Sequence, residues 1–385
     1  MSRFLDKSAL DRKEPGCSYD WWLLTLVVVL LGVGLVMVLS ASGIVADKMY
    51  NDKYFFFKKQ ALFALAGGFA LCCAAMLPRS WLYRLQYPAL IGVLILMCIT
   101  LTPLAPKING ARRWISLGAF SFQPMEFVKI ALALYLAYFM SSKQELVKTF
   151  SKGVIPPFAV TGLFCVLLLR QPDFGSAVLL AGILFFMCLA GGTRVIYLFV
   201  SLGMAVLGAL ALVLTTGYRA KRLTAFLDPF QDAQGTGYQL VQSLYAFALG
   251  GFSGVGVGAS RQKMQYLPEA HNDFIMAVLG EEMGFIGVSL VMLLFALLFW
   301  RCYRVIMGQR DLRDRLSAFG ITLVLGLGTV LNLAVVMGMA PPKGVPMPFL
   351  SYGGSSLLAS LICVGLLLNF SRTMTRRSAS SPPGE

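Results

Sequence analysis

Charge is scarce in this chain of 385 residues: Asp, Glu, Lys and Arg together make up 13%, while 57% of the residues are hydrophobic. An ordinary soluble domain carries about 25% charged residues, so a soluble globular protein is excluded and a membrane setting follows. Histidine occurs once, and no tight group of carboxylates, cysteines or histidines has the spacing of a metal site. A disulfide framework is missing too. Of the eight cysteines, Cys72, Cys73, Cys98, Cys165, Cys188 and Cys363 lie within apolar runs, where a thiol behaves as a small hydrophobe. Interruptions are also few: the apolar runs are long and continuous, which excludes a transmembrane barrel and leaves helices as the means of satisfying the backbone in lipid.

The basic residues that are present give a formal net charge of +15. They sit in short connectors between apolar runs, as membrane orientation requires, and this distribution argues against nucleic acid as a partner. Residues 1–20 are polar and hold Arg3, Lys7, Arg12 and Lys13, and the run from Trp21 has no small-residue cleavage site after a short core. It reads as a first membrane span, not a removable signal.

The hydropathy pattern predicts an all-α polytopic membrane protein with about ten transmembrane helices, at 21–45, 59–77, 86–105, 122–141, 153–170, 174–191, 195–216, 274–300, 316–340 and 349–370. With the N-terminus inside, the inner connectors carry twice as many Lys and Arg as the short outer ones, so the positive-inside rule favours cytoplasmic termini. The chain divides into a cytoplasmic segment (1–20), a membrane domain (21–370) and a basic, then Ser/Pro-rich tail (371–385) expected to be disordered. One large extracytoplasmic loop, 217–272, interrupts the membrane domain, and an order of its own is expected for it. Its stretch GYQLVQSLYAFALGGFSGVGVG, 237–258, is apolar but Gly-rich and short, which suits an interfacial or re-entrant helix better than an eleventh span. The GVGVG within it follows no strand and opens no βαβ unit, so it is no dinucleotide site.

Charges in or beside spans cost about 2.5 to 3.5 kcal/mol each at a helix centre, and three groups of them invite a function. Glu126 and Lys129, in QPMEFVK, fall three apart on one helical face and can neutralise each other, as a structural or a functional ion pair. In YLPEAHNDFI, Glu269, His271 and Asp273 converge where the outer loop meets the eighth span. Asp273 suits an N-cap; it equally suits a general base, because partial desolvation at the mouth of a cleft raises a carboxyl pKa. His271 titrates in a useful range, though a lone histidine is more often structural. In PPKGVPMPFLSYGGSS, Lys343 lies in the last outer connector and Ser351, Tyr352, Ser355 and Ser356 enter the tenth span. Either a stiff turn with small-residue packing or a lysine facing an anionic headgroup accounts for this segment. Asp173 in RQPDFGS reads first as a helix cap and Trp114 in GARRWISLG as an interface anchor, with Arg112 and Arg113 beside it.

Five ordered segments, GARRWISLGAFSFQPMEFVK, RQPDFGSA, RLTAFLDPFQDAQGTGYQLVQSL, YLPEAHNDFIMAVLGEEMG and PPKGVPMPFLSYGGSS, resemble the SEDS family (shape, elongation, division and sporulation) over nearly the whole chain. Lys343 and GYQLVQSL resemble its FtsW branch; the RodA branch usually has an apolar residue at the lysine position. The resemblance implies ten helices with both termini cytoplasmic, in a bacterial inner membrane, at the division septum. It implies a peptidoglycan glycosyltransferase that polymerises lipid II with inversion, with the essential loop aspartate at Asp273, and a functional part for Glu126 and Lys129. The family usually shows Thr where this chain has Asn272. Substrate contacts from Lys343, Arg113, Glu269 and Ser351 are expected with that chemistry. No cofactor is evident, though a divalent cation on the pyrophosphate stays open. The implied partners are a class B penicillin-binding transpeptidase of the FtsI type and other division proteins. A lipid II flippase and a non-catalytic divisome scaffold are the alternatives.

Overall fold

The computed structural model describes residues 19–107, 110–118, 120–214, 226–263, 267–268 and 270–372. The expectations for the N-terminal segment up to residue 18, for Glu269 and for the tail from residue 373 lie outside the described residues. Eleven longer helices occur among those described: α1 (Trp21–Tyr50), α2 (Phe55–Met76), α3 (Arg79–Thr100), α4 (Pro124–Ser142), α5 (Ile155–Arg170), α6 (Phe174–Ala190), α7 (Val195–Leu214), α8 (Tyr238–Gly250), α9 (Ile275–Met307), α10 (Leu312–Val336) and α11 (Gly354–Ser371). One small hairpin, β1 (Ile115–Leu117) with β2 (Phe120–Phe122), pairs antiparallel before α4. Each expected span falls on a helix. Eight are long and apolar enough to cross a membrane, α5 only together with the π-helical turn Phe150–Val154 that leads into it; α6 and the apolar part of α7 are shorter.

Local chemistry sets the helix ends. Asp20 accepts the Leu23 amide at 3.1 Å and so caps α1, and Asn51 ends that helix in the left-handed conformation, φ +53°. Pro124 opens α4 at a position where its missing N–H is no loss. Several boundaries differ by a few residues from the sequence reading, and two of the shifts have a clear cause. Helix α3 starts seven residues before the expected 86, because its polar first turn is held inside the protein: Arg79 pairs with Asp314 at 2.6 Å and donates to the Asn369 side chain and carbonyl. Helix α11 starts at Gly354 instead of 349, because the residues before it form a turn in which Phe349 has φ +66°.

Helices α4 and α11 are the most enclosed; α4 packs on α10, α3 and α6, and α11 packs on α2. One end of the bundle is closed by polar ties: Arg79 with Asp314, Arg301 with Asp20 at 2.6 Å, and the Asp20 amide with Ser371 Oγ at 3.1 Å. The opposite end carries the α1–α2 turn, the β hairpin and the segments around residues 171–175, 271–274 and 343–353.

The thirteen-residue α8 is too short to span a bilayer. It lies along the first turns of α9, where a Cβ on Gly250 would strike Gly280 O, and Ser243 Oγ donates to Val336 O of α10 at 2.7 Å. The expected continuous eighth span is in fact broken. Gly284 has φ +63° and ψ −161° inside α9, a region open essentially to glycine alone. The segment after α8 fills that break with its backbone: Val255 N and Gly256 N donate to Glu281 O and Glu282 O at 3.0 Å, while Phe285 N and Ile286 N donate to Gly251 O and Phe252 O at 2.9 and 3.2 Å. Non-helical backbone at membrane depth survives only where protein satisfies its polar groups. The glycines of GVGVG meet that demand here, since a Cβ on Gly254 would collide with Glu282 O.

Candidate active site

The segment between α10 and α11 cannot be helical. Pro341, Pro342, Pro346 and Pro348 remove amide donors and push the residues before them toward extended backbone. Side chains hold it instead. Gln60 of α2 donates to Ser351 O at 3.1 Å and accepts from Gly353 N at 3.3 Å. Ser351 is 4% exposed, and its Oγ accepts from Met347 N at 2.8 Å. Its hydroxyl therefore shapes the turn and does not face outward as a substrate contact would. Ser355 Oγ accepts from Gln123 N at 3.0 Å and donates to Ser121 O at 3.3 Å, which joins the β hairpin to α11.

This turn meets the start of α9. Tyr352 N donates to His271 O at 2.9 Å, and the imidazole, 9% exposed, packs against Phe56 and Tyr352 with ring centroids at 4.7 and 5.6 Å. The histidine thus has a packing role. Helix α9 takes Phe274 as its N-cap, with no side-chain cap bond, so Asp273 stands one residue outside the position that the capping expectation required. Its carboxylate is half-buried and faces the proline-rich turn, where a Cβ on Gly344 would lie 2.7 Å from Asp273 Oδ2.

Lys343, next to Gly344, extends the other way. Its stem crosses Gly175, its ammonium lies 3.5 Å from Gly175 O, and the Phe174 ring centroid is 5.7 Å from Nζ. Burial lowers its pKa from the ordinary lysine value, and the negative charge of Asp173 opposes that shift. Asp173 caps α6, accepting from Ser176 N at 3.2 Å and Ser176 Oγ at 2.8 Å. Arg113 holds the same corner: it donates to Gln171 O and Pro172 O at 3.3 and 2.6 Å and lies 3.8 Å from Asp173 Oδ2. Arg113, Asp173 and Lys343 therefore form one charged group around residues 171–175. Below the turn, Glu126 and Lys129 pair at 2.7 Å and line a narrow crevice roofed by Val345, Pro346 and Pro348. The acidic end of the pair sits in the first turn of α4, where the helix dipole favours it.

Several residues missed in the sequence reading also matter. Asn332 of α10 donates to Asp273 O at 2.8 Å and Val345 O at 2.7 Å. Glu281 accepts from Ser260 Oγ, from Arg261 N at 2.8 Å and from Gln262 N at 3.3 Å. Glu282 pairs with Lys263 at 2.9 Å and accepts from Ser40 of α1. Two adjacent carboxylates within an apolar run were the available signal, because such charges need partners. They anchor the segment that leads to Asp273.

A bundle of membrane-length helices with charged side chains held in the connecting segments at one end defines a polytopic membrane protein. The chain belongs to the cell cycle protein family of FtsW, RodA and SpoVE, whose model matches residues 21–376. A probable peptidoglycan glycosyltransferase FtsW from Trichlorobacter lovleyi is 45% identical over 358 residues, 92% of this chain and 93% of the relative. The stage V sporulation protein E of Bacillus subtilis is 42% identical over 358 residues, 92% and 97% of the two chains. Among solved structures, a chain from work on the coordination of polymerization and crosslinking by a peptidoglycan synthase complex is similar with TM-score 0.78 and 30% identity, covering 93% of this chain and 98% of that one. The rod shape determining protein RodA of Thermus thermophilus gives TM-score 0.69 at 28% identity, with coverage of 93% and 98%.

Proposed function

We propose that the protein is a peptidoglycan glycosyltransferase of the bacterial inner membrane that polymerises lipid II into β-1,4-linked glycan during cell division, with Asp273 as general base. The relatives named peptidoglycan glycosyltransferase support the reaction class. The single observation that supports the base is the half-buried Asp273 carboxylate against the Gly344 turn, with Lys343 on the next residue. In this scheme one sugar 4-hydroxyl gives its proton to Asp273 while its oxygen attacks the anomeric carbon of the second sugar. The bond from that carbon to the lipid pyrophosphate breaks, and its electron pair leaves with the phosphate oxygen. Lys343 and Arg113 offset the charge that develops there. A single displacement inverts the α-linked donor to a β-linked product and needs no nucleophile on the enzyme.

The site end faces the periplasm and the termini face the cytoplasm, as the distribution of basic connectors supports. Lys343 and Arg113 are the protein's own cations in the scheme; a divalent cation on the pyrophosphate would add to them, and turnover with and without chelator reads that share. A class B penicillin-binding transpeptidase is the proposed partner at the septum, with other division proteins around it. Support comes from the similar chain of a peptidoglycan synthase complex. Purified full-length protein supplied with lipid II tests the reading. Glycan from wild type, lost in a folded Asp273→Ala variant, is the expected result. Transport of lipid II without polymer would select a flippase, and neither activity would select a scaffold.

A further inference from the structure

Neither Asp273 nor Lys343 sits in regular secondary structure: the first precedes α9, and the second lies in the proline-rich turn. Helical hydrogen bonds therefore do not fix their separation. Asn332, 1% exposed and one turn from the end of α10, joins the two segments from below. Its Nδ2 donates both protons, to Asp273 O at 2.8 Å and to Val345 O at 2.7 Å. Two carbonyl acceptors fix which way the amide points, because an amide oxygen in that place would oppose both. The Oδ1 atom is buried and has no partner among the described residues, which costs about 1 to 3 kcal/mol.

We propose that Asn332 is a positioning residue for the reaction: by bridging the backbones of Asp273 and Val345, it sets the distance between the carboxylate base and the Lys343 ammonium. The inference rests on the glycosyltransferase reading and goes beyond it. A displacement of about 1 Å at a reacting group can lower a rate by about a hundredfold, so one bridging side chain is enough to matter. The protein does not depend on this bridge to keep the segments together, because the Tyr352 N to His271 O bond ties the same two neighbourhoods. Variants of Asn332 should therefore fold.

The test uses purified full-length protein and lipid II, with polymerisation measured for Asn332→Leu, Lys343→Ala and the double variant. Asn332→Leu is expected to lower kcat by about tenfold or more with KM changed by less than about twofold. On the Lys343→Ala background the same change should cost less than about twofold, since residues acting through one another are not additive. Asn332→Asp keeps the volume but turns an acceptor toward both carbonyls, and should reproduce the loss if Asn332→Leu does not fold. Unchanged turnover in a folded variant, or an equal fold-loss on both backgrounds, overturns the proposal while leaving the polymerase reading standing. Wild-type protein that makes no Asp273-dependent glycan overturns both.

Discussion

Gly344 stands against the carboxylate of Asp273: a methyl group on this glycine would lie 2.7 Å from Oδ2 and 3.5 Å from Cγ. Gly344 is exposed and has no left-handed φ, so alanine fits its backbone. The added carbon must instead turn the carboxylate. Gly344→Ala is expected to leave stability within about 0.5 kcal/mol and to lower polymerisation by about 10- to 100-fold. Turnover close to wild type, with an unchanged Tm, would show that the close approach has no bearing on catalysis.

Lys343 should set the alkaline limit of activity. Its pKa is lowered by burial, with Asp173 opposing the shift, and the protonated form is the one that meets an anion. Activity should then fall as pH rises through a value below the ordinary lysine pKa of about 10.4. Lys343→Arg should extend the plateau to higher pH. Asp173→Asn keeps a capping side chain but removes the opposing charge, so the alkaline limb should move to lower pH. Rate–pH profiles of the three proteins check both signs; identical limbs would remove Lys343 from the charge that matters.

Lys263 and Glu282, with side chains 6% and 0% exposed, form the most enclosed ion pair among the described residues. Removing one partner leaves a buried charge uncompensated, and Lys263→Met should destabilise the protein by about 3 to 5 kcal/mol. Lys263→Met with Glu282→Gln should restore most of that loss. Thermal unfolding in detergent measures it, and a double variant no more stable than the single one would contradict the charge argument.

Gly284→Ala places a Cβ against Gly254 N and Phe252 O in a conformation that side chains avoid. A cost of about 1 to 3 kcal/mol follows from the backbone alone, and the packed neighbours add to it. Faster proteolysis between residues 251 and 258, together with a lower Tm, is the expected outcome.

The helices were legible because continuous apolar runs leave few alternatives in lipid, and the Glu126–Lys129 pair was legible from its spacing of three. Lys343 and Asp273 stood out as charges at span edges, and the structure brings both to one turn. Asp173 was read as a helix cap and is one, but its place between Arg113 and Lys343 depends on tertiary packing that a linear pattern does not encode. Ser351 looked available among glycines, yet its hydroxyl is used by the Met347 amide. The break at Gly284 was hidden because hydropathy is blind to φ, and its immediate neighbours Met283 and Phe285 are apolar. Asn332 was hidden for a related reason: one amide in an apolar helix looks like any polar packing residue until its two acceptors are known.

The interrupted α9 has a consequence for biogenesis. Its two halves leave the ribosome after the glycine-rich segment that completes their hydrogen bonding, so the plug is already made when the gap emerges. Lipid offers no donors to the Glu281 and Glu282 carbonyls, and the half-helices gain a stable partner only when residues 250–256 fold back onto them. Docking of the segment after α8 and insertion of α9 are therefore expected to be coupled, and the segment that leads to Asp273 should settle with them.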